Sequence, residues 1–159
     1  MLTFVIPTYK ESPFLEEVIL SLKSQTIDCE ILMSTSTPND FIKNLAKQYD
    51  IELFINPNPK YNVIDDMNFA LSCAKTKYCT LAHQDDLYEK DYAEKMLNEA
   101  EKYPDNLISF SFYSEKNNDR IITDSKLIKV KKFILELVFR NNTAIKSKFL
   151  KKFLLLFGS

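Results

Sequence analysis

The tetrapeptide HQDD contains the side chains best suited to chemistry. Asp85 and Asp86 are adjacent and follow an apolar run, and two neighbouring carboxylates repel each other unless a cation or hydrogen-bond donors lie between them. Carboxylate oxygens are the ligands that Mg²⁺ and Mn²⁺ prefer, usually together with substrate phosphates. We therefore expect Asp85 and Asp86 to hold a divalent metal, with His83 as a further candidate ligand. The alternative is that the two acids cap the helix that follows.

A second polar segment, PTYKES, follows the first apolar run of the chain. Pro7 restricts the backbone there, and the flat ring of Tyr9 is suited to stacking on a nucleobase or lining its pocket. Glu11 is able to accept hydrogen bonds from a base or a ribose. The alternative is an ordinary turn between a strand and a helix.

Acidic residues also begin a later helix. Asp65 and Asp66 stand where negative side chains are favoured by the helix dipole, so we interpret both as helix-start residues. Asn68 comes one turn further on and is a candidate for the same cleft.

Composition excludes several other kinds of site. The single glycine, Gly158, rules out a Walker loop and a dinucleotide fingerprint, since both need glycines where the backbone approaches phosphate. Three cysteines without a paired spacing and one histidine argue against a zinc site or a disulfide framework, and favour a reducing compartment. No apolar run approaches the roughly 20 residues that span a bilayer, and we expect a cytoplasmic protein.

Charge is distributed unevenly along the chain. Residues 1–125 hold 12 basic and 21 acidic side chains, whereas residues 126–159 hold 9 basic and 1 acidic. We expect residues 1–125 to form one α/β domain and residues 126–159 to form a basic amphipathic helical segment. A solvated or partner-facing surface is the expected role of that segment, and contact with the inner face of a membrane is the alternative. Its apolar residues predict self-association: Phe149, Leu150, Phe153, Leu154, Leu155 and Phe157.

Strand-like and helix-like patterns alternate along most of the chain. The expected strands are Leu2–Ile6, EILMS, Ile51–Ile55, KYCTLA, Leu107–Tyr113 and Asp119–Thr123. Amphipathic helices are expected between them, with caps at Ser12 and Thr37 for the first two and a start near Asn62 for the third. The apolar side expected for the third helix is Val63, Ile64, Met67, Ala70, Leu71 and Ala74. This alternation predicts a mostly parallel sheet flanked by helices, with Ile6, Ser34 and Ala82 ending strands at one shared cleft.

The order of these motifs resembles the family 2 glycosyltransferases of the GT-A fold. The segments that match are IPTYKE, EILMSTSTP, DDMNFALSCAKTKY and LAHQDDLY, and together they span roughly residues 2–125. The resemblance implies a Rossmann-like nucleotide-diphospho-sugar transferase fold. It also implies metal-dependent transfer of a sugar from a nucleotide-diphosphate sugar to a saccharide or lipid-linked acceptor, in polysaccharide or glycoconjugate synthesis, with Mn²⁺ or Mg²⁺ as cofactor and no nucleic-acid partner.

Site residues follow from the resemblance position by position. Those expected to contact the donor nucleotide are Pro7, Thr8, Tyr9, Glu11, Thr35, Asn68 and Asp85, while Asp85 and Asp86 would hold the metal. The sequence departs from the family pattern at three positions: Thr35 replaces the aspartate that usually contacts the base, His83 replaces the first carboxylate, and Met67 replaces an arginine.

By this comparison the chain stops before the acceptor half of the family, so we expect a truncated, donor-binding portion without its general base. Two other functions are alternatives. One is a non-catalytic module that binds a nucleotide sugar, and the other is a small metal-dependent phosphohydrolase using His83, Asp85 and Asp86.

Overall fold

The computed structural model describes residues 1–58, 62–105, 109, 111, 113–117, 120–123, 125–126 and 128–133. The chain divides into two compact units, Met1–Leu107 and Ile108–Ser159. The expected donor-binding domain over residues 1–125 and the basic segment over residues 126–159 stay predictions. Most of that basic segment, with its apolar residues from Phe149 onward, lies outside the described residues.

The first unit is built on a parallel sheet of four strands in the order β3-β2-β1-β4. Its strands are β1 (Leu2–Thr8), β2 (Glu30–Thr35), β3 (Glu52–Ile55) and β4 (Tyr78–Leu81). Its helices are α1 (Leu15–Lys23), α2 (Asp40–Gln48), α3 (Val63–Cys73) and α4 (Tyr92–Lys102). The predicted parallel α/β sheet is therefore confirmed, and the first four strands lie where the apolar runs placed them.

Strand alternation distributes the core over both faces of this sheet. Phe4 and Ile6 of β1 are fully buried in a cluster with apolar residues of α1, α2 and α4. Val5, which points to the opposite face, is buried with Ala70 and Cys73 of α3. Helices therefore cover the sheet on two sides, as the doubly wound pattern requires.

The second unit contains a short antiparallel hairpin among its described residues. Strands β5 (Glu115–Asn117) and β6 (Arg120–Ile122) pair in it, so the predicted strand at Asp119–Thr123 exists but pairs with its neighbour. The predicted strand at Leu107–Tyr113 falls largely outside the described residues. Residues 128–133 are helical.

Helix starts differ from the sequence expectation at two positions. Helix α2 is capped by Asn39, whose side chain accepts from Ile42 N–H at 2.9 Å, and not by Thr37. Helix α1 begins at Leu15 without a side-chain cap, since Ser12 lies three residues earlier. The third helix begins near Asn62 as expected, and Asn62 caps it by accepting from Asp65 N–H at 2.8 Å.

The apolar side predicted for α3 was right for Ala70 and wrong for Val63, Ile64 and Leu71. Val63 and Ile64 are 68% and 72% exposed, and Leu71 is also exposed, whereas Ala70 and Cys73 face the sheet. Together with the partly buried Phe69, these two residues pack α3 against the sheet. Within the described part of the chain, no helix has the length and apolar character needed to cross a membrane.

Candidate functional site

The loops that follow β1 and β4 are fastened together at the carboxyl edge of the sheet. We call residues 9–14 the β1 loop and residues 82–91 the β4 loop. Tyr9 N–H donates to Gln84 Oε1 at 2.9 Å, and Gln84 Nε2 donates back to the Tyr9 carbonyl at 3.3 Å. Ser12 Oγ donates to the Gln84 backbone carbonyl at 3.3 Å. The segments PTYKES and HQDD are therefore neighbours, as the sequence predicted.

The β1 loop is also bonded to the loop after β2, residues 36–39, which we call the β2 loop. Lys10 N–H donates to Thr37 Oγ1 at 2.8 Å, while Thr37 N–H donates to Thr35 Oγ1 at 3.1 Å. Thr8 Oγ1 donates to the Ser34 carbonyl at 2.9 Å. Thr8 and Thr35 are both buried: the Thr8 hydroxyl bonds to the neighbouring strand, whereas the Thr35 hydroxyl accepts from the loop that follows its own strand.

The β1 loop contains one of the two non-glycine residues with positive φ in the described part of the chain; the other is Asp50, just after α2. Lys10 has a φ of 55°, the left-handed region in which a side chain with a Cβ is disfavoured by about 1–3 kcal/mol. Its ammonium lies 5.0 Å from the centroid of the Tyr9 ring, which is itself 47% exposed. The hydrogen bonds from Gln84 and Thr37 flank this residue and hold it in that conformation. An exposed aromatic face is therefore presented from a fixed backbone.

The two carboxylates of HQDD lie in a turn directly after β4. Asp86 N–H donates to the His83 carbonyl at 3.2 Å, and all three side chains are exposed. Although Asp86 as a whole residue is exposed, neighbouring protein atoms partly desolvate its carboxyl and raise its pKa; His83 opposes this rise and the negative charge of Asp85 adds to it. A cation beside Asp85 and Asp86 would favour the ionised form of both carboxyls and so oppose the rise in the pKa of Asp86.

These residues suit a metal that shares its ligands with a substrate. Among the described residues, no group of three or more histidine, cysteine, aspartate or glutamate side chains is placed to hold a metal ion. Mg²⁺ characteristically takes one or two protein carboxylates and completes its shell with substrate phosphates and water. Asp85 and Asp86 fit that arrangement, whereas a cage made of protein ligands alone does not fit.

Packing behind the β4 loop fixes its position. Tyr88 lies edge-on to Phe4 and Tyr92, at ring-centroid distances of 5.6 and 4.9 Å. Its hydroxyl is 3.5 Å from the Leu81 carbonyl, and burial raises the pKa of that hydroxyl far above its usual range. Gln25, which lies just after the end of α1, donates from its side chain to the Glu89 carbonyl at 2.9 Å. The carboxylates thus stand on a loop that is bonded to the core on one side and to Tyr9 on the other.

Asp66 has a role that sequence reasoning missed. Its Oδ2 accepts from Ser36 Oγ at 2.7 Å and its Oδ1 accepts from Asn56 Nδ2 at 2.9 Å, so it joins α3 to the ends of β2 and β3. Asn56 N–H in turn donates to the Thr35 carbonyl at 2.8 Å. Asp65, its neighbour, is the helix-start residue that was expected, with its carboxylate bonded to Asn62 at 2.6 Å.

The structure does not join every predicted site residue to this edge by a contact. Glu11 and Asn68 are exposed, and within the described part of the chain no hydrogen bond joins either to the other predicted residues. Gln84 and Thr37, which were not predicted as site residues, provide the links between loops. The polar character of HQDD and STSTPND was the only sequence signal for them.

Comparison with known proteins gives one family and several similar structures. The model of glycosyl transferase family 2 matches residues 3–154. The uncharacterized glycosyltransferase EpsJ of Bacillus subtilis (strain 168) is 23% identical over 131 residues, which are 80% of this chain and 38% of EpsJ. The chain therefore spans about two fifths of the length of this curated relative.

Two solved structures share the fold. S. aureus TarS 1–349 in complex with UDP has a TM-score of 0.59 and 15% identity, with 79% of this chain and 39% of that chain covered. The mannosyltransferase PcManGT from Pyrobaculum calidifontis, in complex with GDP-Man and Mn²⁺, has a TM-score of 0.50 and 21% identity, with 67% of this chain and 32% of that chain covered.

Proposed function

Since the chain belongs to glycosyl transferase family 2, we propose that it binds a nucleotide-diphosphate sugar for metal-dependent sugar transfer. The acceptor would be a saccharide or a lipid-linked sugar, in polysaccharide or glycoconjugate synthesis at the cytoplasmic face of a membrane. The observation that supports this best is the pair of hydrogen bonds between Tyr9 and Gln84. They place an exposed aromatic ring and two carboxylates on adjoining loops at one edge of the sheet.

Nucleoside binding is assigned to the β1 and β2 loops. Tyr9 would stack on the base or line its pocket, because its ring is about half exposed on a fixed backbone. Pro7, Thr8 and Thr35 would form the wall beneath it through the strand ends, and Glu11 would accept from the base or ribose. Two of the similar structures hold UDP or GDP-Man, in keeping with a nucleotide at this edge.

Diphosphate binding is assigned to the β4 loop. Asp85 and Asp86 would hold Mn²⁺ or Mg²⁺, and Asn68 would lie near the diphosphate. His83, the further candidate from the sequence, is not placed to complete a group of three ligands with them. When bound, the metal would neutralise charge on the departing nucleoside diphosphate. The protein's own contribution is to keep two carboxylates together on a turn that the Tyr88 cluster and Gln84 hold in place. No general base is assigned among the described residues.

Replacement of the carboxylates tests the proposal. We expect wild-type protein to bind UDP or GDP more tightly with Mn²⁺ than with EDTA in calorimetry, and Asp86→Asn, more than Asp85→Asn, to remove that difference. Asp91→Asn is the matched control, since Asp91 lies in the same loop but pairs with Lys95 at 2.7 Å on the surface. Equal affinities in all proteins, with and without EDTA, would overturn the assignment of Asp85 and Asp86 as metal ligands; they do not cap α4, which begins at Tyr92 with Asp91 at its N-cap position.

Turnover assays distinguish this function from its alternatives. Release of nucleoside diphosphate from a nucleotide sugar supports glycosyl transfer, while binding without any release supports a non-catalytic module. Phosphate release from simple esters would support a phosphohydrolase. The described residues argue against the last, because they lack a group of three metal-ligating side chains from which a two-metal site could be built.

A further inference from the structure

We propose that Gln84 is a positioning residue that couples the metal site to the nucleoside site, so that a bound cation and a bound nucleoside strengthen each other through the protein. This inference rests on the proposed function and extends it. It concerns a residue that touches neither ligand in the assignment above. Its side chain instead connects the loop that would hold the cation to the loop that would hold the base.

The hydrogen bonds that Gln84 makes through its side chain and its carbonyl join it to the β1 loop. Both polar atoms of its amide are used on a single residue, the backbone N–H and carbonyl of Tyr9, at 2.9 and 3.3 Å. Its own backbone carbonyl accepts from Ser12 at the far end of the same loop. Since Asp85 follows directly in sequence, a cation held by the carboxylates would favour the backbone arrangement in which Gln84 bonds Tyr9, and would make that arrangement harder to open.

The β1 loop needs such support because its backbone is strained at Lys10, where φ is 55°. A residue in this region keeps its conformation only when its surroundings hold it there. Gln84 bonds the backbone of Tyr9, the residue before Lys10, and Thr37 Oγ1 accepts a hydrogen bond from Lys10 N–H at 2.8 Å. Loosening Gln84 therefore frees the loop that carries the Tyr9 ring.

A merely structural role for Gln84 predicts a different result. If it only stabilised the fold, its loss would weaken nucleoside and metal binding independently or lower the melting temperature alone. Coupling through Gln84 requires that each ligand change the affinity for the other by the same factor, and that this factor fall toward one when the link is cut. Diphosphates cannot measure the factor, because their phosphates would contact the metal directly.

The test uses uridine and guanosine, which have no phosphate. Nucleoside affinity is measured by NMR titration with Mg²⁺ and with EDTA, and Mn²⁺ affinity is measured by electron paramagnetic resonance with and without nucleoside. We expect the cation to tighten nucleoside binding about fivefold or more in the wild type. Gln84→Met, which keeps the length of the side chain and removes its hydrogen bonds, should bring this ratio below about twofold.

Gln48→Met is the matched control, since Gln48 is exposed and its side chain bonds to Glu16, at 3.3 Å, and to Tyr49, neither of which belongs to the proposed site. It should keep the wild-type ratio. Amide hydrogen exchange of the ligand-free protein provides a measurement that needs no metal. Gln84→Met should speed exchange of the Tyr9 N–H, because that N–H loses its acceptor. If Gln84→Met does not fold, Thr37→Val tests the other bond of the loop and should lower the ratio in the same direction.

The outcomes separate this inference from the function on which it rests. A wild type that binds neither nucleoside nor nucleoside diphosphate under any condition overturns the proposed function and the inference together. The inference alone is overturned if the wild type binds UDP or GDP only with the metal but binds the nucleoside equally well with Mg²⁺ and with EDTA. A Gln84→Met protein that folds and retains the wild-type ratio also overturns the inference alone.

Discussion

Two polar side chains organise the carboxyl edge of the sheet, and each uses both of its terminal atoms to do so. Gln84 bonds the β1 loop through its amide, while Asp66 bonds Ser36 and Asn56 through its carboxylate. Ser36 and Asn56 are both buried, so their donors have lost access to water and depend on these bonds. Asp66 therefore holds the ends of β2 and β3 in register beside the proposed nucleoside site.

Replacing Asp66 with alanine tests this role. We expect Asp66→Ala to lower the free energy of unfolding by about 1–3 kcal/mol, because the buried donors of Ser36 and Asn56 lose their partner. Urea denaturation measures the change. Asp65→Ala is the control, since Asp65 bonds only the exposed Asn62 among its described partners and should cost less than about 1 kcal/mol. Equal losses in the two variants would contradict the assignment.

Strands and helices were predictable to different degrees. The four strands of the sheet follow from buried apolar runs such as Leu2–Ile6, since a strand covered on both faces needs a continuous apolar stretch. Helix starts depend on which of several nearby polar residues is free to cap. Thr37 was the expected cap of α2, but its hydroxyl accepts from Lys10, 27 residues earlier in the chain. That bond is non-local, so local spacing does not reveal it.

The same distinction applies to the site. Asp85 and Asp86 were identifiable because their residue type and position after a strand point to cation binding. Gln84 was not, because its partner Tyr9 lies 75 residues away in sequence. Asp66 resembled an ordinary helix-start acid for the same reason. Residue type thus indicates candidate ligands, whereas the residues that position them become visible only when the strands are brought side by side.

Capping of α2 provides a test at the scale of the element. Asn39→Ala should lower the free energy of unfolding by about 1 kcal/mol, because Ile42 N–H loses its side-chain acceptor at the helix start. Asn44→Ala is the control within the same helix: Asn44 is exposed in its interior, where alanine is the better helix former. Thermal or urea unfolding compares the two, and destabilisation by Asn44→Ala alone would contradict the position of the cap.

In the whole molecule, all the ligand contacts that we propose are contacts to the nucleotide sugar or to its metal. The β1, β2 and β4 loops supply the proposed contacts to nucleoside, diphosphate and metal, and all of them belong to the unit Met1–Leu107. The chain matches 38% of EpsJ and 39% of TarS 1–349. The proposed function accordingly assigns donor binding, and no acceptor contact, to the described residues.

We accordingly expect the 159-residue chain to bind a nucleotide sugar with Mn²⁺ while releasing nucleoside diphosphate only slowly, with no transfer to an acceptor. General-base assistance typically contributes ~10²–10⁴-fold to such a reaction, and no described residue is assigned that role. Nucleoside diphosphate release with and without candidate acceptors, together with mass spectrometry of the acceptors, measures both activities, and Asp86→Asn provides the background rate. Rapid transfer to a defined acceptor, abolished in Asp86→Asn, would mean that a residue of this chain supplies the base and that the division between donor binding and catalysis is wrong.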